Sequence, residues 1–177
     1  MSVLGERLLA IHGALDQARL AHAFGGAIAL AYCTAEPRGT RDIDVNVFVG
    51  PERAAEVLDA MRVAVGASSS AGAVLARDGQ ARLWWDDTPV DVFLDVHEFH
   101  AQVAAEVREV PFEGRSIPVL GCHALAVFKA FFGRTRDWAD IEAMLEGGAL
   151  DADRLLGALV RLLGPDDRST TRLRSWL

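Results

Sequence analysis

Lysine, cysteine and tyrosine are nearly missing from this chain: among 177 residues there are one lysine, two cysteines and one tyrosine. The cysteines, Cys33 and Cys122, lie in apolar surroundings with no CxxC spacing. They read as two reduced core residues rather than as a disulfide or a zinc framework. The longest nearly apolar run, Ala23 to Cys33, falls well short of the ~20 residues needed to cross a bilayer. The N-terminus has Glu6 and Arg7 inside a helical pattern and lacks a basic start, a long apolar stretch and a cleavage site. The expected compartment is therefore the cytoplasm, with no membrane partner. Basic charge is scarce too, and a net charge of −7 argues against a broad, sequence-independent grip on nucleic acid. Arg134 with Arg136, or Arg168 with Arg172 and Arg174, leave room for a local basic patch, although solvated surface explains them as well. There is no Gly-x-Ser-x-Gly elbow and no Walker-type phosphate loop. His97 and His100 flank Glu98 with no third ligand at a supporting interval, so a solvated strand end explains them better than zinc.

What is present is an ordinary globular composition, 51% hydrophobic and 24% charged, with no repeat and no low-complexity tract. One compact unit is expected, with residues 1–120 as a core and residues 121–177 as a helical extension packed on it. Leu8, Leu9, Ile11, Leu15 and Leu20 recur at roughly helical spacing, so the first twenty residues read as an amphipathic helix. His22 to Phe24 reads as a short strand, broken by Gly25 and Gly26 before an alanine-rich helix. From Arg41 to Val49 the pattern alternates, with Ile43, Val45, Val47 and Val49 on one face and Asp42, Asp44, Asn46 and Phe48 on the other. Glu52 to Val65 reads as a helix, Gly66 to Gly72 as a loop, and Ala73 to Ala76 as a strand. Strands are also expected over Ala81 to Trp85 and Val90 to Val96, joined by a turn at Asp86 to Pro89. A helix over His100 to Arg108 and a hairpin around Phe112 to Ile117 lead into helices at 122–132, 135–145, 151–163 and 168–176. The fold class is α+β: a mixed or antiparallel sheet covered by helices, with a helical C-terminal part.

Asp42 and Asp44 lie two apart in a strand, so their carboxylates leave one face with alpha carbons ~6.5 to 7 Å apart and can chelate one metal. Alone, such a pair serves equally as a polar strand edge. The candidate third carboxylate is Asp91, in the alternating run Val90 to Val96. Asp91 and Asp95 are ~13 Å apart along that strand, so only one of them can join Asp42 and Asp44. Burying Asp91 among valines and phenylalanine is costly unless a cation offsets its charge. Gly25 and Gly26 precede a helix, where glycine admits a close phosphate and the helix N-terminus offers unpaired N–H groups. For a lone Gly-Gly, a plain, tightly packed helix entry is the commoner explanation.

In this order, Gly25-Gly26, a helix, Thr40-Arg41-Asp42-Ile43-Asp44 and Val90-Asp91-Val92 resemble the DNA polymerase beta-like nucleotidyltransferase superfamily. Within it the chain looks most like small bacterial members related to abortive-infection nucleotidyltransferase toxins. Those share a Gly-Gly, an Arg-x-Thr-x-Asp-Ile-Asp segment, a helix carrying a lysine and an Arg-Asp-x-x-Asp segment. The counterparts are Phe24-Gly25-Gly26-Ala27, Arg38 to Asp44, Ala126-Val127-Phe128-Lys129 and Arg136-Asp137-Trp138-Ala139-Asp140, so the resemblance spans most of residues 22–146. It implies that residues 1–120 are the catalytic core. It also implies that Asp42, Asp44 and Asp91 hold metal, two Mg2+ ions, and that a nucleoside triphosphate is the donor. Gly25, Gly26, Thr40, Arg41, Lys129 and Asp140 are then the expected nucleotide-binding residues.

Lys129 is set apart on physical grounds, being the one lysine beside 17 arginines. It borders the helical arc of Leu125, Phe128 and Phe132, so its ammonium either reaches a cleft or snorkels to the surface. A compact point charge suits a triphosphate in a tight site. Asp137 and Asp140 lie near a helix start, where capping explains them without catalysis. The resemblance assigns Asp140 to orienting Lys129 or the nucleotide. The acceptor hydroxyl is left open among transfer RNA, protein and a small molecule such as an antibiotic. A non-catalytic partner of the same fold, paired with an antitoxin, is the alternative.

Overall fold

The computed structural model describes residues 2–62, 65 and 69–177. By backbone contacts they form two units, one of residues 1–28 and 38–120 and the other of residues 29–37 and 121–177.

The first unit holds a mixed six-stranded sheet: β1 (His22–Phe24), β2 (Ile43–Val47), β3 (Gln80–Trp85), β4 (Thr88–Leu94), β5 (Arg108–Phe112) and β6 (Arg115–Val119). Its spatial order is β3-β4-β2-β1-β6-β5. The β4–β2 and β1–β6 pairs are parallel and the other three antiparallel. Alternation puts Ile43, Val45 and Val47 of β2 and Val90, Val92 and Leu94 of β4 into the core, every one of them almost fully buried.

Helix α1 (Val3–Gln17) starts at Ser2, whose hydroxyl accepts from the Gly5 N–H at 3.0 Å. It buries Leu8, Ile11 and Leu15 and packs on α3 (Ala54–Met61). Helix α2 (Gly26–Thr34) begins in the first unit and ends in the second. Helices α4 (Ser69–Asp78) and α5 (Phe99–Ala105) complete the first unit.

Several sequence expectations are corrected here. Ala73 to Ala76 is helical, within α4, because serine at the start and alanine and leucine beyond favour a helix over a four-residue alternation. Of the loop read at Gly66 to Gly72, residues 69–72 belong to α4 and residues 66–68 lie outside those described. Of the helix read from Glu52 to Val65, the described residues form a 3-10 turn at Pro51–Arg53 followed by α3 over Ala54–Met61, and residues 63 and 64 lie outside those described.

The second unit contains α6 (Cys122–Phe132), α7 (Thr135–Glu146), α8 (Ala152–Leu163) and α9 (Arg168–Arg174), within about two residues of the expected bounds. Helix α6 ends at Gly133, which takes the left-handed conformation (φ 64°) that closes a helix C-terminus. Asp151 caps α8 by accepting from the Arg154 N–H at 2.9 Å, and Asp167 caps α9 by accepting from Ser169 N–H at 2.7 Å. Helix α6 packs against α7 and α8, and α8 against α9. Cys33 and Cys122 form a disulfide within this unit, across 89 residues of sequence. The reading of two reduced core thiols is thereby overturned. A pair so far apart in sequence meets only through tertiary folding, which spacing does not reveal. No helix among the described residues is long and apolar enough to cross a membrane.

Candidate active site

Asp44 on β2 stands directly opposite Asp91 on β4 in their parallel pairing. Register partners on adjacent strands project to the same face, and the strands are ~4.8 Å apart. Asp42 comes two residues earlier, just before β2. Thr40 sets its backbone: the hydroxyl accepts from the Asp42 N–H at 3.2 Å and donates to the Asp42 carbonyl at 3.3 Å.

The row extends in both directions across the sheet. Arg82 on the edge strand β3 is the register partner of Asp91. On the far side, the Gly25 N–H donates to the Asp44 carbonyl at 2.9 Å. Four segments thus contribute Arg82, Asp91, Asp44 and Gly25 to one line of positions. Its last member has no side chain, and its neighbours close around it.

Gly25 is packed tightly by Asn46 and Leu120, and Gly26 is pressed against Asp44 itself. A Cβ on Gly25 would come within 3.2 Å of Asn46 Nδ2 and Leu120 Cδ1. Gly26 has φ +51°, a conformation side chains rarely adopt, and a Cβ there would overlap the Asp44 carboxylate, 2.7 Å from its Cγ. A Gly26→Ala variant is therefore expected to displace Asp44 and lower any metal-dependent turnover by at least about tenfold, with about 1–2 kcal/mol lost from strain. Gly39→Ala is the control, because nothing lies within 4 Å of its Cβ position. Equal turnover and equal melting temperatures for the two variants would refute the close-approach role.

Arg82 grips Asp91 with both arms of its guanidinium: Nε donates to Oδ1 at 2.8 Å and Nη2 to Oδ2 at 2.7 Å. This hydrogen-bonded pair raises the Arg82 pKa further above its ordinary value, and the charges of Asp42 and Asp44 add to the effect. All three acids therefore act on one guanidinium. Sequence reasoning missed Arg82. Its signal was the two-residue turn at Asp86 and Asp87, with Asp86 at φ 52°, which pairs Trp85 with Thr88 and so Arg82 with Asp91.

The donor set fits a hard divalent cation: carboxylate oxygens only, two of them on register-paired strands and a third two residues away. Among the described residues no three His, Cys, Asp or Glu side chains are gathered into a metal-holding group, and both Asp91 oxygens are engaged by Arg82. Asp95 lies beyond β4, where its N–H donates to the Val49 carbonyl at 2.9 Å and its carboxylate faces His100 Nδ1 at 3.5 Å. It is not in the row of Asp44.

The remaining candidates divide between the units. Arg41 is exposed in the first. In the second, Lys129 is buried on α6 and donates to Asp140 Oδ2 on α7 at 2.6 Å. Asp137 lies 3.7 Å from the same ammonium. It also accepts from the Arg134 N–H at 3.1 Å at the start of α7, and from Arg134 Nε at 2.7 Å. The capping role read for Asp137 and the Asp140–Lys129 pairing are both present in the geometry.

A family model described as nucleotidyl transferase AbiEii toxin, type IV TA system, matches residues 7–175. Among solved structures, ANT(2'')-Ia in complex with adenylyl-2''-tobramycin has a similar fold, with a TM-score of 0.63, 15% identity and coverage of 99% of each chain. The lincomycin-bound lincosamide antibiotic adenylyltransferase LnuA gives a TM-score of 0.55 at 13% identity, over 78% of this chain and 94% of that one. An antigenic nucleotidyltransferase-like protein from Paracoccidioides brasiliensis gives 0.52 at 15% identity, over 98% and 94%. At such identities the likeness is one of fold. Comparison with curated protein sequences gives no match.

Proposed function

Since the chain belongs to the family of nucleotidyl transferase AbiEii toxins, we propose that Asp42, Asp44 and Asp91 hold two Mg2+ ions for nucleotide transfer to an acceptor hydroxyl. The observation that carries this reading is the register pairing of Asp44 with Asp91, beside a glycine turn that no side chain can fill. When bound, the metal screens the triphosphate charge and lowers the pKa of the attacking hydroxyl. In the family's reaction the acceptor oxygen bonds to the alpha phosphorus, the bond from that phosphorus to the bridging oxygen breaks, and pyrophosphate leaves. Gly25 and Gly26 let the backbone approach the phosphates at the start of α2. Thr40 fixes the backbone that carries Asp42, and Arg41 offers an exposed charge to the nucleotide. For Lys129 the proposed role is a cation offered to phosphate, with Asp140 fixing where its ammonium points.

The proposed biological role is that of a toxin with an antitoxin partner, working in the cytoplasm where nucleoside triphosphates are made. A disulfide such as Cys33–Cys122 is uncommon in that compartment. Transfer RNA or protein is the acceptor on this reading. A small hydroxylated antibiotic is the second reading, favoured by the tobramycin adduct and lincomycin held by two like-folded structures, while the net charge of −7 leans toward either a small molecule or a protein over transfer RNA. Calorimetry with Mg2+ and each of the four ribonucleoside triphosphates tests the proposal. One preferred nucleotide is the expected result; no binding to any of the four would favour a non-catalytic partner. Labelled nucleotide appearing on RNA, protein or aminoglycoside then names the acceptor.

A further inference from the structure

The carboxylate row contains its own cation. Arg82 occupies both oxygens of Asp91, at 2.8 and 2.7 Å, while Asp44 is the neighbour of Asp91 on the opposite strand. Asp91 therefore sits between a guanidinium on β3 and a like charge on β2, and its hydrogen bonds draw it to the guanidinium. Without that pairing, two carboxylates on directly opposed positions would repel.

Three features give this fork a meaning beyond stability. A guanidinium never loses its charge in a protein, so Arg82 cannot yield Asp91 by deprotonation. Its side chain is 51% exposed, against 19% for Asp91, and it stands on the edge strand, so it can swing away while remaining hydrated. The three acids and Arg82 sum to a charge of −2, so the row attracts cations less than its carboxylates alone would.

We propose that Arg82 is a built-in competitor for Asp91, which a divalent cation displaces fully only when a triphosphate arrives to receive the released guanidinium. Metal and nucleotide then bind as a coupled pair. Free metal without nucleotide is held weakly, and the anion that escorts it also compensates the arginine it dislodges. By linkage the coupling is reciprocal: the triphosphate raises metal affinity by the same factor as metal raises triphosphate affinity. Arg82 is a positioning residue in this scheme. It sets when Asp91 is available, and the inference rests on the reading of Asp42, Asp44 and Asp91 as the metal carboxylates.

The test measures binding rather than turnover, using Mn2+ as the metal and inorganic tripolyphosphate as the anion. Mn2+ is titrated by water-proton relaxation into the full-length chain with and without saturating tripolyphosphate, with protein-free blanks subtracted. Arg82→Gln is expected to bind Mn2+ alone about tenfold more tightly than wild type, with Arg82→Lys between them. The enhancement by tripolyphosphate is expected to fall by about the same factor. Unchanged or weaker Mn2+ affinity in Arg82→Gln, with circular dichroism showing an intact fold, overturns the proposal and leaves Arg82 as a scaffold for Asp91. Asp44→Asn separates this from the underlying reading. If that variant binds Mn2+ as wild type does, the carboxylate site itself fails; if it loses Mn2+ while Arg82→Gln is unchanged, only the competitor role fails.

Discussion

Asp44→Asn is expected to reduce pyrophosphate release by about 10²- to 10³-fold or more, the scale on which loss of one preorganised electrostatic group acts. The substitution keeps the shape of the side chain beside Gly26 and removes one of the two carboxylates that face each other across the β2–β4 pair. Deleting its charge relieves repulsion with Asp91 across the β2–β4 pair but gives up attraction to Arg82, so the two effects oppose each other. The melting temperature should therefore stay close to that of the wild type while turnover collapses. That separation of stability from activity distinguishes a site carboxylate from a structural one. A coupled enzymatic assay for pyrophosphate, run beside thermal denaturation, reads both quantities. Full activity in Asp44→Asn would end the metal proposal.

The second large effect belongs to the other unit. Asp140→Leu leaves the Lys129 ammonium buried, its side chain 8% exposed, with the Asp137 carboxylate 3.7 Å away. Asp137 already serves Arg134 and the start of α7. Breaking a buried pair by removing one partner costs about 3–5 kcal/mol, because the survivor keeps its desolvation penalty. Replacing both, as Lys129→Met with Asp140→Leu, should recover most of that loss. Urea denaturation of the two single variants and the double variant gives the coupling directly. A single-variant cost below about 1 kcal/mol would place the pair among solvated ion pairs, whose contribution is small.

The helical half of the fold was legible because its signals are local. Asp151 and Asp167 mark helix starts and Gly133 a helix end, and the apolar stripes lie between them. The strands of the carboxylate row were legible from alternation alone, which assigns Asp44 and Asp91 to polar faces. Their meeting across β2 and β4 depends on a parallel register that local pattern does not carry; only the order of motifs hinted at it. Ala73 to Ala76 failed because four residues are too few to tell period 2 from period 3.6. Arg82 was hidden by placing the hairpin turn over Asp86 to Pro89. Shortening it to Asp86 and Asp87 brings Thr88 and Pro89 into β4 and pairs Arg82 with Asp91. One turn length thus separates a surface arginine from a neighbour of the site.

The helical unit is interrupted: the chain leaves it after Pro37 and returns at Gly121, and the Cys33–Cys122 bond joins the two pieces. Synthesis is directional, so Cys33 emerges 89 residues ahead of its partner. At about 5 to 20 residues per second, that is a wait of roughly 4 to 18 s. During that interval five of the six strands, β2 to β6, are made, while the end of α2 still lacks the segment it closes against. A chain ended before Gly121 would therefore strand residues 29–37 without a partner. The unit begun early on the ribosome is the one completed last.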